Sequence, residues 1–183
     1  MPDTPPNTER LIRLTPDLQI KPFDCDDDDL NDFFLNSSKK YLNDLLAVTY
    51  IIENDEHTIA FFSILNDKVS AHELKSNSAW DVFKSENFPP GKQLRSYPAV
   101  KIGRLGVNKG YKSKGYGRSI ISFMIDSFLS SNKTGCRFIT VDAYQESLSF
   151  YSKCNFIFMT TKDEGKDTRL MYLDLLPYAS LAT

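Results

Sequence analysis

The fold class that this sequence predicts is α/β, a sheet flanked by helices and containing at least one crossover unit. Two observations predict it. The first is the order strand, helix, strand, helix, strands over the second half of the chain. The second is Ala99 to Ser131, where an extended apolar run (Val100, Ile102, Leu105, Val107) meets a glycine-rich turn and then a long apolar helix pattern (Ile120, Ile121, Phe123, Met124, Ile125, Phe128, Leu129).

The elements follow in order. Residues 1–8 are polar and proline-rich and read as a flexible N-terminus. Glu9–Leu14 reads as a first strand ended by Thr15-Pro16. Asp26 to Asp29 lack the alternation of ligands and spacers that a calcium loop needs. They read instead as caps for a helix starting near Asp27. Leu30, Phe33, Phe34, Tyr41, Leu42, Leu45 and Leu46 continue with helical spacing, as two helices broken near Asn36-Ser37.

Ala47–Ile52 and Thr58–Leu65 form an antiparallel hairpin across Glu53–Glu56. Residues 66–95 read as polar and irregular, with one or two helical turns around Ser78 to Phe88 and a stop at Pro89-Pro90-Gly91. This is the candidate specificity insertion. Arg137–Asp142 is a strand and Gln145–Lys153 a short helix. Asn155–Thr160 and Thr168–Leu175 are a closing hairpin. One domain over 9–176 is expected, with 177–183 as a tail.

Composition narrows the function. Net charge is −2, so no global basic field advertises nucleic acid, and an anion site must be local. Three scattered cysteines, Cys25, Cys136 and Cys154, argue against a disulfide framework and a C-x-x-C metal site; no metal is expected. No signal peptide and no membrane-length apolar run stand out, which makes a reducing cytoplasm the default. His57 and His72 lie in polar surroundings and read as surface histidines.

One local anion site is evident. Lys101, Arg104, Lys109, Lys112, Lys114 and Arg118 are six bases in a stretch without an acid. A turn before a helix points backbone N–H groups at a phosphate, assisted by the helix dipole, and glycine permits close approach and unusual φ. Walker and dinucleotide patterns both fail here: Tyr116-Gly117 follows Gly115 where Lys-Ser/Thr is needed, and no third glycine completes G-x-G-x-x-G. A solvated lysine-rich turn is the plain alternative.

What does fit is a basic or amide residue with glycine at +3 and +5, in Lys112-Ser113-Lys114-Gly115-Tyr116-Gly117. That pattern resembles the Gcn5-related N-acetyltransferases (GNAT), as does Val141 to Phe156, where a helix ends in Phe150-Tyr151 and a tight turn follows. Asn155 stands in place of the family's glycine and Lys112 in place of its Arg or Gln; both changes suit a left-handed turn and a backbone-dominated phosphate site. The resemblance spans roughly residues 97–175.

The resemblance implies a mixed, mostly antiparallel sheet with splayed central strands, and acetyl transfer from acetyl-CoA to a primary amine. It places Leu105, Gly106 and Val107 along the pantetheine, with a backbone N–H near Val107 on the thioester carbonyl. It places Lys112, Ser113, Lys114, Gly115, Tyr116, Gly117 and Arg118 on the pyrophosphate. Tyr151 is implied as the general acid to the CoA thiolate, a role suited to a group protonated at neutral pH. The base stays open among Asp142, Glu146 and Glu53.

Phe23-Asp24-Cys25 before Leu30-Asn31-Asp32-Phe33, then Ile102–Val107 and Phe150-Tyr151, also resembles the toxin acetyltransferases that act on aminoacyl-tRNA, with Asp26 where they have glycine. A homodimer is expected from the same resemblance. A non-catalytic acyl-CoA-binding module and a nucleic-acid binder using Lys109–Arg118 are the readings from other classes.

Overall fold

A computed structural model describes residues 8–91, 93–131 and 133–179. It contains one seven-stranded mixed sheet flanked by helices, in the order β1-β2-β3-β4-β5-β7-β6. In chain order the elements are β1 (Arg10–Arg13), α1 (Asp28–Asp32), α2 (Ser38–Asn43), β2 (Val48–Glu53), β3 (Thr58–Ser70), α3 (Asn77–Asn87), β4 (Ser96–Val107), α4 (Tyr116–Ser130), β5 (Phe138–Tyr144), α5 (Leu148–Lys153), β6 (Ile157–Phe158), β7 (Thr168–Asp174) and α6 (Leu176–Ala179). The chain groups into two compact units. One comprises residues up to Leu65 with Gly103–Ile120; the other comprises Asn66–Ile102 with the chain from Ile121 onward.

In the first unit, β1 and β2 pair antiparallel from Arg10↔Glu53 to Arg13↔Tyr50, and β2 pairs antiparallel with β3 from Val48↔Ile64. The expected capping by aspartate is present: Asp27 accepts a bond from the Leu30 N–H at the start of α1. The expected break at Asn36-Ser37 is not. A π-helical turn over Phe33–Ser37 links α1 to α2, and the Ser38 hydroxyl bonds the Phe34 carbonyl. The wide turn turns both Phe33 and Phe34 into the core, where Phe34 stacks on Phe61 with centroids 4.4 Å apart and meets Phe23 edge-on at 5.0 Å.

In the second unit, β4 and β5 pair in parallel over Ala99↔Phe138 to Ile102↔Val141, and α4 is the crossover between them. β5 pairs antiparallel with β7 along its whole length. The closing hairpin is shorter than the sequence suggests: Ile157 and Phe158 of the first arm pair with β7, and Met159 adds one backbone bond to Leu170. Asp163 organises the turn, accepting from the Leu170 N–H at 2.6 Å and from Arg169 Nε at 2.7 Å. Residues 177–179, expected in a tail, lie in α6, and residues 180–183 of that tail fall outside the described residues, as do 1–7 of the expected flexible N-terminus.

Residues 66–95 correct the expectation most. They open with the end of β3, and the one or two helical turns become the three-turn α3, capped by Ser76 on the Ala79 N–H. Trp80 and Phe83 are buried with Val69, Tyr97, Phe138 and Tyr172. A segment read as a variable insertion therefore supplies the second core, because two aromatic residues three apart share a helix face even where the flanking sequence is polar. Trp80→Ala is expected to cost roughly 3–5 kcal/mol, a fall in Tm on the order of 10 °C. Val82→Ala, on the exposed side of the same helix, is expected to leave the melting curve within about 0.5 kcal/mol of wild type.

Candidate functional site

The turn before α4 is built on a loop held in place before the glycines begin. The Asn108 N–H donates to the Ile59 carbonyl at 2.8 Å and its side-chain amide to the Thr58 carbonyl at 3.1 Å. The Lys109 N–H donates to the Asp24 carbonyl at 2.8 Å. The Asn54 amide donates to the Tyr111 hydroxyl at 2.8 Å. With these anchors the chain reaches Ser113 at φ 62° and Gly115 at φ 93°. No heavy atom beyond Gly115's chain neighbours lies within 4 Å of where a Cβ would stand there, so it is conformation and not crowding that requires glycine.

Asp27 and Ser76 cap α1 and α3 with their side chains. Gly115 has none to offer α4, whose first-turn N–H groups lack intrahelical acceptors by geometry. An anion is the natural complement to that end of a fifteen-residue helix. Lys112, Ser113, Lys114, Gly115 and Arg118 are exposed, and Tyr116 and Gly117 are half-buried. Tyr116 donates its hydroxyl to Glu9; burial first, and that bond second, push its phenol up to about 12. Lys114 Nζ sits 4.8 Å over the Tyr111 ring.

Several of the basic side chains face acids. Lys109 Nζ bonds Asp24 Oδ2 at 2.7 Å and lies 3.8 Å from Asp26 Oδ1. Lys112 Nζ bonds Asp26 Oδ2 at 3.2 Å. Arg104 lies over the Phe33 ring with Nε 3.6 Å from Asp29, a separation that is Coulombic only. Three bases of the 101–118 run, Arg104, Lys109 and Lys112, thus face the acids at 24–29 within one unit. Sequence reasoning assigned the acids to helix capping alone, which holds for Asp27. The signal for pairing was available: five acids without a base and six bases without an acid, in a chain of net charge −2.

Of the residues expected along an acyl arm, Leu105 and Val107 are half-buried at the end of β4. Gly106 is buried, and a Cβ there would meet Phe61 Cε1 at 2.7 Å and Phe23 Cζ at 3.2 Å, so glycine is required by the aromatic core. β4 extends beyond Ile102, the end of its parallel register with β5, carrying Gly103 to Val107. Tyr151 belongs to the second unit, buried on α5 between Phe150 and Phe156 at 4.9 and 5.3 Å. Burial, with a contribution from Cys154, holds its phenol well above the ordinary value, so it stays protonated. Asn155 takes the left-handed conformation expected of it, at φ 66°.

The three candidate bases separate. Glu53 is buried and accepts from Arg10 at 2.7 and 2.8 Å and from Lys21 at 3.1 Å. Asp142 is paired with Lys101. Glu146 is exposed in the turn before α5. Among the described residues no cluster of His, Cys, Asp and Glu could hold a metal, and no helix is long and apolar enough to cross a membrane.

Residues 17–156 match the acetyltransferase (GNAT) family. No curated protein matches the chain. Among solved structures, AtaT complexed with acetyl-methionyl-tRNAfMet is similar with a TM-score of 0.77 and 18% identity, over 96% of this chain and 100% of that one. AtaTR bound with AcCoA follows at 0.75 and 18%, over 96% and 98%. A tyrosine-to-phenylalanine variant of the AtaT toxin bound to the C-terminus of the antitoxin AtaR gives 0.73 and 16%, over 96% and 98%.

The electrostatics of the turn can be checked directly. The Lys109 hydrogen bond first, then the Asp26 N–H and the Asn31 amide, hold the Asp24 carboxyl down to about 2. Its folded-state value is depressed, so its contribution is present above the ordinary 3.8 and lost as pH falls toward 2. A side-chain carboxyl titration by NMR is expected to show that low midpoint, moving up toward 3.8 in Lys109→Ala.

Proposed function

The chain belongs to the acetyltransferase (GNAT) family as an acetyl-CoA-dependent N-acetyltransferase, and on that premise we propose that its acceptor is the α-amine of an aminoacyl-tRNA. The observation that carries the catalytic half is the left-handed Ser113–Gly115 turn at the start of α4, inside the matched residues. The acceptor rests on the likeness, across nearly the whole chain, to AtaT complexed with acetyl-methionyl-tRNAfMet.

In this proposal residues 9–176 act as one catalytic domain. Lys112, Ser113, Lys114, Gly115, Tyr116, Gly117 and Arg118 hold the pyrophosphate, chiefly through main-chain N–H groups, and Leu105, Gly106 and Val107 run beside the pantetheine. The amine nitrogen attacks the thioester carbonyl, an N–C bond forms and the C–S bond breaks. Tyr151 gives its proton to the departing thiolate. Glu53 and Asp142 are spoken for by their basic partners, which favours Glu146 or a water as the acceptor of the amine proton. Acetyl-CoA and charged tRNA meet in the cytoplasm, the proposed location. A second copy of the chain and an antitoxin, of the kind that binds AtaT, are the proposed protein partners.

Calorimetry of acetyl-CoA on the wild type and on a Gly115→Glu, Gly117→Glu variant tests the coenzyme site. Micromolar binding that the variant loses, with its circular dichroism unchanged, is the expected result; a folded wild type that does not bind overturns it. Acetylation of charged tRNA, followed with labelled acetyl-CoA, tests the acceptor, and failure beside rapid acetylation of a simple amine would exclude tRNA. In the same assay Tyr151→Phe is expected to lose about 10²-fold or more in turnover while binding acetyl-CoA normally. Unchanged turnover would remove Tyr151 from the chemistry, and no turnover in either protein would leave an acyl-CoA-binding module.

A further inference from the structure

Resting on the reading of Lys112–Arg118 as the pyrophosphate site, we propose that Asp26 sets the affinity for acetyl-CoA by competing with the coenzyme's phosphates for the loop lysines. Asp26 takes a left-handed conformation at φ 61°, one that glycine adopts without penalty and an aspartate does not. Its N–H donates to Asp24 Oδ1 at 2.9 Å, and Asp24 in turn receives the Lys109 N–H on its carbonyl at 2.8 Å. The acidic turn is therefore tied to the phosphate loop by a main-chain bond at Asp24, which brings the Asp26 carboxylate beside the loop lysines. It reaches Lys112 Nζ at 3.2 Å with one oxygen and Lys109 Nζ at 3.8 Å with the other.

Lys112 opens the turn, and Asp26 is the carboxylate bonded to its ammonium. A phosphate seated on that turn shares Lys112 with a carboxylate that the neighbouring Lys109–Asp24 main-chain bond keeps close by. Both side chains are about half exposed (48% and 56%), so the pair is screened and stabilises the fold little. Its charge still acts on any anion placed within a few ångströms. The consequence is a coenzyme held less tightly than its basic run implies, which favours the release of spent CoA.

Asp26→Asn removes the charge and keeps the side-chain shape. Kd for acetyl-CoA is expected to fall about threefold to tenfold at low salt, with the gap closing near 1 M salt as the screening length shrinks to about 3 Å. S-acetylpantetheine, which carries no nucleotide phosphates, is expected to bind both proteins equally. Asp26→Gly, which also relieves the backbone, guards against a variant whose loop is merely disturbed and is expected to tighten binding at least as much. If the wild type binds and neither variant binds more tightly, the proposal fails and the coenzyme site stands. A parallel gain for acetylpantetheine also overturns it, since the effect would not act on phosphate. If none of the three proteins binds acetyl-CoA, the coenzyme site falls and the proposal with it.

Discussion

The loop that leads into α4 depends on one residue gripping another twice. Lys109 donates its main-chain N–H to the carbonyl of Asp24 and its ammonium to the same residue's carboxylate. The ion pair alone is half exposed and would be a weak constraint. The backbone bond makes it a fixed one, because it sets the register between two segments 85 residues apart in sequence. Asn31 reinforces the grip from the other side, donating its amide to Asp24 at 3.1 Å while its oxygen accepts from the Cys25 N–H at 3.0 Å. Where the acidic turn goes, the loop goes.

The aromatic core beneath serves the same end. Phe23 immediately precedes Asp24 and packs edge-on against Phe34 and Phe61. Gly106, on the strand that runs into the loop, lies against Phe61 and Phe23 with no room for a side chain. The acidic turn and the end of β4 are thus anchored on one cluster of rings, and the π-helical turn at Phe33–Ser37 brings two of its members inward. Close-packed rings have low compressibility and hold their neighbours to a single arrangement. The glycine turn therefore enters α4 from a rigid base.

Periodicity and turn residues carried most of the architecture. The hairpin of β2 and β3, the strand–turn–helix of β4 and α4, and the left-handed Asn155 are all local features, decided within a few residues of chain. What escaped the sequence was non-local. Trp80 and Phe83 sit among polar neighbours, so nothing within α3 announces that they fill a core completed by Tyr97, Phe138 and Tyr172. The extension of β3 past Leu65 likewise runs against local propensity, since Asn66, Asp67 and Lys68 are poor strand formers. Glu53 and Asp142, open as catalytic bases in the sequence, are each paired with a base far along the chain, which local sequence could not announce.

The acid and base runs show why charge patterning has to be read in pairs. Each run alone suggests a function: a metal loop for the aspartates, an anion site for the lysines. Together they neutralise much of one another, and what survives is set by geometry rather than by composition. Lys109 and Lys112 are spent on Asp24 and Asp26, whereas Lys114 leans on the Tyr111 ring and Arg118 is exposed at the helix start. A polyanion arriving here would meet main-chain N–H groups, Lys114, Arg118 and a Lys112 shared with Asp26, and not six unpaired cations. Recognition by a positioned backbone is specific to the shape of a phosphate and largely indifferent to bulk charge. That is how, in the proposed function, a chain of net charge −2 can hold a phosphate on a local turn without a global basic field.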